Sequence, residues 1–193
     1  GAELAQAFAS AREVFQEVDD ALSQKLSKLM RDGPEADLTL TENAQPALMA
    51  VSLAVMRTLE KELGVPIEKA AFVAGHSLGE YAALAATGAI SLSDTARLLK
   101  LRGQAMQRAV PVGAGAMASL IGPRTDVAQA EAAAAAGAEV GVCVVANDNN
   151  NGNVVISGDK AGVDRAIEKA KELGARAIPL NVSAPFHCPL MQP

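Results

Sequence analysis

A serine stands in Gly75-His-Ser-Leu-Gly79, a segment with the G-x-S-x-G spacing of nucleophilic serine enzymes. In this pattern, a tight turn between a strand and a helix lifts the serine hydroxyl above the edge of a sheet. An apolar run at Ala70–Ala74 and a helical stretch at Glu80–Thr87 flank the segment, as the pattern requires. We predict that Ser77 is a nucleophile and that the N–H of Leu78 stabilises an oxyanion. A plain turn that contains a serine is the alternative.

The general base for such a serine must be sought among two histidines. His76 adjoins Ser77 within the turn, and an immediate neighbour usually points elsewhere, so a packing or turn role is favoured for it. His187 lies in Pro185-Phe-His-Cys-Pro189, an irregular segment of the kind that often carries catalytic groups. Because histidine exchanges protons near neutral pH, we predict that His187 is the base. A lone surface histidine is the alternative.

Arg102 is the third residue that could take part in chemistry. Its helix carries mainly apolar residues toward a core, and a planar, permanently charged guanidinium suits a carboxylate ligand. A solvated helix arginine, like Arg97, is the alternative. The two cysteines show no metal-ligand spacing and no CxxC pattern, so we predict that Cys143 is a core residue and expect no metal site. No phosphate-binding glycine motif occurs, and we expect no cofactor.

The elements that would position these residues change in type along the chain. Apolar residues at three- and four-residue spacing predict helices, which cover about 2–20, 24–30, 43–63, 80–87 and 91–108. A capping-box pattern at Ser10 and Glu13 indicates a restart within the first of them. The run at 70–74 lacks polar alternation, which favours a strand buried on both faces of a parallel sheet. Over 117–182 the pattern predicts the order βαββαβ, the ferredoxin-like arrangement. A break at Pro111–Gly115 separates the two parts.

Composition narrows the class of protein. The chain has 193 residues, a net charge of −5 and 3% aromatic residues, which gives no basic, aromatic-rich surface for nucleic acid. No apolar run approaches the roughly 20 residues that span a bilayer, and no signal peptide is visible. With 50% hydrophobic residues the chain is too apolar for intrinsic disorder. We expect a cytoplasmic globular protein without membrane or nucleic-acid partners, and a monomer.

Four stretches together resemble the malonyl-CoA:acyl carrier protein transacylases, in the order found in that family. They are Asn43–Leu48, Gly75–Leu84, Leu101–Gln107 and Val182–Cys188. The resemblance implies an α/β fold, with an α/β-hydrolase-like, parallel-sheet lobe over 1–114 and an inserted ferredoxin-like lobe over 115–182. Residues 183–193 would return to the first lobe and carry the catalytic histidine.

The resemblance also implies roles for the candidate residues. Ser77 would attack the malonyl thioester and hold the acyl group as an ester, and His187 would activate first Ser77 and then the thiol of an acyl carrier protein. Arg102 would pair with the malonyl carboxylate. Leu78 would serve the oxyanion hole. The further substrate-binding residues would be Met106, Phe186 and His76. Malonyl-CoA is then the substrate, acyl carrier protein the partner, and no cofactor is needed.

Family members begin with a strand and a glutamine-bearing oxyanion loop, and continue for roughly a hundred residues past the histidine. We therefore expect this chain to be an internal fragment of a longer transacylase. Three alternatives stay open: the acyltransferase domain of a polyketide synthase, a serine esterase or lipase, and a non-catalytic docking module for a carrier protein. The last would use a basic helix face formed by Lys25, Lys28 and Arg31.

Overall fold

The computed structural model describes residues 1–123, 125–150 and 152–192. The helices are α1 Ala2–Ala7, α2 Ala9–Leu22, α3 Leu26–Asp32, α4 Glu35–Thr39, α5 Thr41–Leu63, α6 Gly79–Ala86, α7 Leu92–Ala109, α8 Val127–Ala138 and α9 Lys160–Glu172. The strands are β1 Gly115–Ile121, β2 Cys143–Asp148, β3 Asn153–Asp159 and β4 Arg176–Pro179. The chain divides into two compact units, Gly1–Gln104 and Ala105–Pro193, and the division falls within α7.

The first unit is built around α2 and α5. Their apolar faces bury a common cluster, in which Val14 and Val18 of α2 join Met49 and Leu53 of α5. The three- and four-residue spacing of apolar residues thus predicts the buried faces correctly. The restart predicted near Ser10 is found two residues earlier: Phe8 has an extended backbone (φ −126°, ψ 129°) and separates α1 from α2, although no side-chain cap forms there.

The predicted strand at 70–74 is not formed, and within the described residues no strand of the first unit supplies a partner for it. A strand needs a neighbouring strand to pair its backbone N–H and C=O groups, and the elements around this segment in the first unit are helices. Its apolar side chains are accordingly exposed, Phe72 to 94% and Val73 to 42%. The parallel sheet expected in this part is therefore absent from the residues described.

The second unit contains a four-stranded sheet in the order β2-β3-β1-β4. Each neighbouring pair is antiparallel, and Ala118 in the middle of β1 faces Ile156 of β3. Helices α8 and α9 cover the sheet through small residues, including Ala133 and Ala166, which allows close packing. The order βαββαβ and the mixed α/β class predicted from the sequence are confirmed.

Cys143 begins β2 and is 5% exposed, so the prediction that it is a core residue is confirmed. Burial, with smaller contributions from Asp159 and Cys188, raises the pKa of its thiol to about 11. The lobe boundaries at 114 and 182 stay a prediction. Across residues 1–123, 125–150 and 152–192, no helix combines the length and apolarity that crossing a membrane would need.

Candidate active site

Ser77 lies in a sharp turn that leads directly into α6. Its backbone is in the left-handed region, with φ +54°, which residues other than glycine adopt rarely. The turn is closed by two hydrogen bonds: the N–H of Gly79 donates to the carbonyl of His76 at 2.9 Å, and that of Glu80 to the carbonyl of Ser77 at 3.2 Å. Strained backbone of this kind clusters at functional sites, so the turn has the local geometry of a nucleophile-bearing elbow.

Gly75 lets this turn close on itself. A Cβ atom built on Gly75 would collide with the backbone carbonyl of Gly79 and the backbone nitrogen of Glu80. A Cβ on Gly79, by contrast, would meet nothing within 4 Å. Of the two glycines in the motif, the first is therefore required by close backbone approach and the second is not.

Arg102 of α7 reaches the serine. Its Nη2 donates a hydrogen bond to Ser77 Oγ at 3.1 Å. The Arg102 side chain also lies over the ring of Tyr81, with Cζ 5.9 Å from the ring centroid, a distance at which a cation–π attraction operates. The structure thus brings together two of the predicted site residues, Ser77 and Arg102, which are 25 positions apart in the chain.

Gln45 is a site residue that the sequence analysis did not single out. Its Oε1 accepts a hydrogen bond from Arg102 Nη1 at 2.5 Å, and its Nε2 donates to Thr41 Oγ1 at 2.8 Å. The residue is 3% exposed, so its amide is fixed in the interior. Gln45 lies in Asn43–Leu48, one of the stretches that carry the family resemblance. That resemblance alone gave it no role, because its contact with Arg102 is visible only in the folded structure.

The charge of Arg102 is not balanced by a carboxylate among the described residues. Lys100, two positions earlier on α7, provides the contrast: its Nζ lies 3.3 Å from Glu42 Oε2 and also donates to Asn43 Oδ1 at 2.9 Å. The partners of Arg102 are an amide, a hydroxyl and an aromatic ring. A half-buried guanidinium with neutral partners beside a serine hydroxyl has the chemistry to accept an anion.

The predicted base, His187, belongs to the second unit. His187 is exposed and has φ +57°, the left-handed region again. Its segment is held by a hydrogen bond from the N–H of Phe186 to the carbonyl of Ala184 at 3.1 Å, and by one from Cys188 Sγ to the carbonyl of Pro185 at 3.1 Å. The pairing of His187 with Ser77 stays a prediction.

Three further predicted residues belong to the substrate-binding set. Met106 on α7 and Phe186 are half-buried, and His76 is exposed within the serine turn. Their contacts with substrate stay a prediction, as does the oxyanion role of Leu78, which caps the start of α6. Among the described residues, no group of three or more histidines, cysteines and carboxylates is placed to hold a metal ion.

Comparison with known proteins places this geometry in context. The family model described as "Acyl transferase domain" matches residues 1–193. A malonyl CoA-acyl carrier protein transacylase of Bacillus subtilis (strain 168) is 46% identical over an alignment of 194 residues, which covers 100% of this chain and 60% of that protein. The chain therefore spans about three fifths of the length of this curated relative.

Solved structures show the same similarity. The acyl-carrier-protein-S-malonyltransferase of Bartonella henselae superposes with a TM-score of 0.89 at 57% identity, covering 98% of this chain and 60% of that one. A malonyl-transacylase in complex with a type II polyketide synthase acyl-carrier protein gives a TM-score of 0.89 at 44% identity, covering 99% of this chain and 60% of that one.

Proposed function

The chain belongs to the acyl transferase domain family, and from that premise we propose that it transfers a malonyl group from coenzyme A to the thiol of an acyl carrier protein. Ser77 is the nucleophile and carries the acyl group as an ester between the two halves of the reaction. The relatives named as malonyl transacylases support this substrate.

One observation carries the proposal: Arg102, which has only neutral partners among the described residues, donates to Ser77 Oγ at 3.1 Å. An acyl group on Ser77 that bears its own carboxylate would place that carboxylate next to an uncompensated guanidinium. A hydrogen bond between charged partners contributes about 1.5–3 kcal/mol, which is roughly a 10- to 100-fold preference. An acetyl group carries no carboxylate and would leave the arginine without an anionic partner.

In the first half of the proposed reaction, His187 takes the proton from Ser77 Oγ as the oxygen attacks the thioester carbonyl. The tetrahedral oxyanion is stabilised by the N–H of Leu78 at the start of α6, where the helix dipole also favours negative charge. The intermediate then collapses, the C–S bond breaks, and His187 returns the proton to the leaving thiolate of coenzyme A. The product is malonyl-Ser77.

The second half repeats these steps with a different nucleophile. His187 removes the proton from the phosphopantetheine thiol of the carrier protein, and the sulfur attacks the ester carbonyl of malonyl-Ser77. Collapse of this second tetrahedral intermediate breaks the bond to Ser77 Oγ, which regains its proton from His187. The reaction balances without a redox step, and the proposal therefore includes no cofactor.

The first test is the intact mass of the protein after incubation with malonyl-CoA or with acetyl-CoA, followed by peptide mapping. We expect a malonyl adduct on Ser77 and little or no acetyl adduct. Ser77→Ala should abolish the adduct while leaving the thermal midpoint close to that of the wild type. An adduct on any other residue, or equal acetylation and malonylation of Ser77, would contradict the proposal.

Arg102→Ala separates a malonyl transferase from a serine esterase. In the proposed enzyme this change should reduce malonylation of Ser77 by about 10- to 100-fold and leave the slow reaction with acetyl-CoA unchanged or faster. In an esterase that acts on neutral esters, hydrolysis would be indifferent to Arg102. Hydrolysis of p-nitrophenyl acetate by the wild type and the variant provides the comparison.

The proposal extends to partner, location and assembly. An acyl carrier protein is the acceptor, as in the complex of the related malonyl-transacylase. A cytoplasmic location fits the free thiols of Cys143 and Cys188, which a reducing compartment preserves. We expect a monomer, which sedimentation equilibrium can check. The two-lobe organisation, with boundaries at 114 and 182, is part of the same proposal.

A further inference from the structure

Gln107 joins the end of α7 to the segment that carries His187. Its Nε2 donates one hydrogen bond to the carbonyl of Val110 at 3.1 Å and a second to the carbonyl of Ser183 at 3.2 Å. Both acceptors belong to buried residues, with Val110 7% and Ser183 5% exposed. One side-chain amide therefore bridges two backbone segments that are 73 positions apart in the sequence.

The chemistry of the acceptors fixes the orientation of this amide. Two carbonyl oxygens can be satisfied only by the NH₂ end of a glutamine, because its oxygen has no proton to donate. Gln107 Oε1 is correspondingly buried and finds no hydrogen-bond partner among the described residues. The side chain leaves an acceptor unsatisfied, at a cost in free energy, and keeps both donors on the two carbonyls.

The segment that follows Ser183 is irregular. It contains no helix or strand before the short 3-10 helix at Pro189–Met191, and its His187 has a strained backbone, with φ +57°. Pro185 packs against Gly115 at the start of β1 so closely that a Cβ on Gly115 would collide with the proline ring. The Gln107 bonds and this proline contact fix the segment on the side that precedes His187.

We infer that Gln107 is a positioning residue for His187: its amide holds the 183–188 segment in the conformation from which the imidazole acts as the base. This inference rests on the proposed function. It predicts that loss of the two donated hydrogen bonds loosens the segment and slows proton transfer at Ser77, without changing how Arg102 selects the acyl group.

The test compares Gln107→Glu with Gln129→Glu in the purified protein. Glutamate keeps the size of glutamine, but at neutral pH it has no proton to donate and repels the carbonyls. Gln129 is a matched control, because its Nε2 also donates to a backbone carbonyl, that of Leu173 at 2.7 Å, and its Oε1 is also buried and unpartnered among the described residues. Gln107→Met, which removes the donors without adding charge, carries the same test if Gln107→Glu folds poorly.

Two quantities are measured. The first is amide hydrogen exchange in peptides covering 183–188, which we expect to rise in Gln107→Glu and to stay at the wild-type level in Gln129→Glu. The second is the rate of Ser77 malonylation at saturating malonyl-CoA, which should fall by about 10- to 100-fold in Gln107→Glu, as for a displacement of roughly 1 Å. The half-saturating concentration and the malonyl-to-acetyl preference should not change.

The possible failures are distinguishable. Unchanged exchange at 183–188 in Gln107→Glu, or an equal rise in Gln129→Glu, overturns the positioning role. Increased exchange with an unchanged malonylation rate overturns it also, because the segment would then be held without consequence for His187. Absence of any Ser77 adduct in the wild type overturns the proposed function, while hydrogen exchange still decides whether Gln107 holds the segment.

Discussion

Two short apolar runs, one in each unit, differ in whether they form a buried strand. Residues 154–156 in β3 lie between β1 and β2, and Ile156 is 0% exposed. Residues 70–74, just before the serine turn, have no strand beside them among the described residues, and Phe72 is 94% exposed. Both runs are apolar, and they differ in what surrounds them. An apolar run becomes a buried strand only where the same chain provides neighbours to pair with it.

The same contrast extends to how the two units fix their candidate site residues. In the first unit, Ser77 and Arg102 are fixed by a close backbone turn and by a buried amide, that of Gln45. In the second, Pro185 of the histidine segment packs against Gly115 of β1, and β1 pairs with β3 and β4. We therefore expect the position of Ser77 to depend on the turn in the first unit, and the position of the histidine segment to depend on the packed core of the second.

Gly75→Ala is expected to have the largest effect, because its Cβ would overlap the backbone of Gly79 and the turn could not close. Both the serine and the Leu78 N–H would move, and loss of one oxyanion donor alone costs about 10²–10³-fold. We expect malonylation of Ser77 to fall about a thousandfold or more. Gly79→Ala is the control, since its Cβ meets nothing within 4 Å; equal losses in the two variants would refute the close-approach argument.

Ile156→Ala and Phe72→Ala compare the two apolar runs directly. Removing a fully buried isoleucine leaves a cavity, and we expect a loss of about 2–5 kcal/mol in the free energy of unfolding. Removing an exposed phenylalanine should change it by no more than about 0.5 kcal/mol. Urea denaturation followed by circular dichroism measures both. A large loss from Phe72→Ala would mean that the run at 70–74 is buried in the protein in solution.

Gln45→Leu tests the fixed amide beside Arg102. Leucine is close in size but cannot accept the hydrogen bond from Nη1, so the guanidinium loses one of its fixed partners. We expect the preference for malonyl-CoA over acetyl-CoA in Ser77 acylation to fall about tenfold, in line with the roughly 1.5–3 kcal/mol of a hydrogen bond to a charged group. A drop in rate with both thioesters and an unchanged ratio would instead indicate a general loss of structure.

Ser91→Ala should have the smallest effect, at the start of α7. Ser91 Oγ donates to Asp94 Oδ2 at 2.7 Å, and the N–H of Asp94 donates back to Ser91 Oγ at 3.0 Å. This hydrogen bond, aided by Arg97, lowers the pKa of Asp94 below its ordinary value. A lowered folded-state pKa stabilises the protein above the unfolded pKa, and the stabilisation is lost as the pH falls through the folded one.

We therefore expect the variant to be slightly less stable than the wild type at neutral pH, and the difference to shrink as the medium is acidified below pH ~4. Carboxyl NMR titration should show the Asp94 pKa rising in the variant. A stability difference that stays constant from neutral to acidic pH, with an unmoved Asp94 titration, would refute the role of the Ser91 hydroxyl.

Local pattern was sufficient to predict much of the fold. Helix spacing predicts α5 and α7 to within two residues, and alternating element types predict the order of the second unit. The capping-box pattern at Ser10 and Glu13 indicates the restart at α2 to within two residues. The short helix α4 was not predicted, because it carries no periodic signal. The strand expected at 70–74 fails for a reason that lies outside its own residues, the absence of a neighbour in the described part of the unit.

The candidate site divides in the same way. The spacing of the glycines around Ser77 predicts its role as a candidate nucleophile. The contact of Arg102 with Ser77 depends on how α7 packs against α5, and no periodicity in the sequence predicts it. Gln45 and Gln107 were missed because glutamine is common on helices and acquires a role only from the particular atoms it meets. The residues that position others were thus the least visible in the sequence.

The left-handed backbone at Ser77 and His187 has a consequence for protein engineering. For a residue other than glycine, such a conformation lowers the stability of the folded state by on the order of 1–3 kcal/mol. Glycine avoids this strain, but its greater loss of backbone entropy on folding offsets about 0.5–1 kcal/mol of the gain. A directed-evolution campaign that selects for heat resistance alone should therefore enrich glycine or asparagine at positions 77 and 187. Thermostable clones from such a library would have to be screened for acyl transfer, since these substitutions would remove the two side chains on which the proposed mechanism depends.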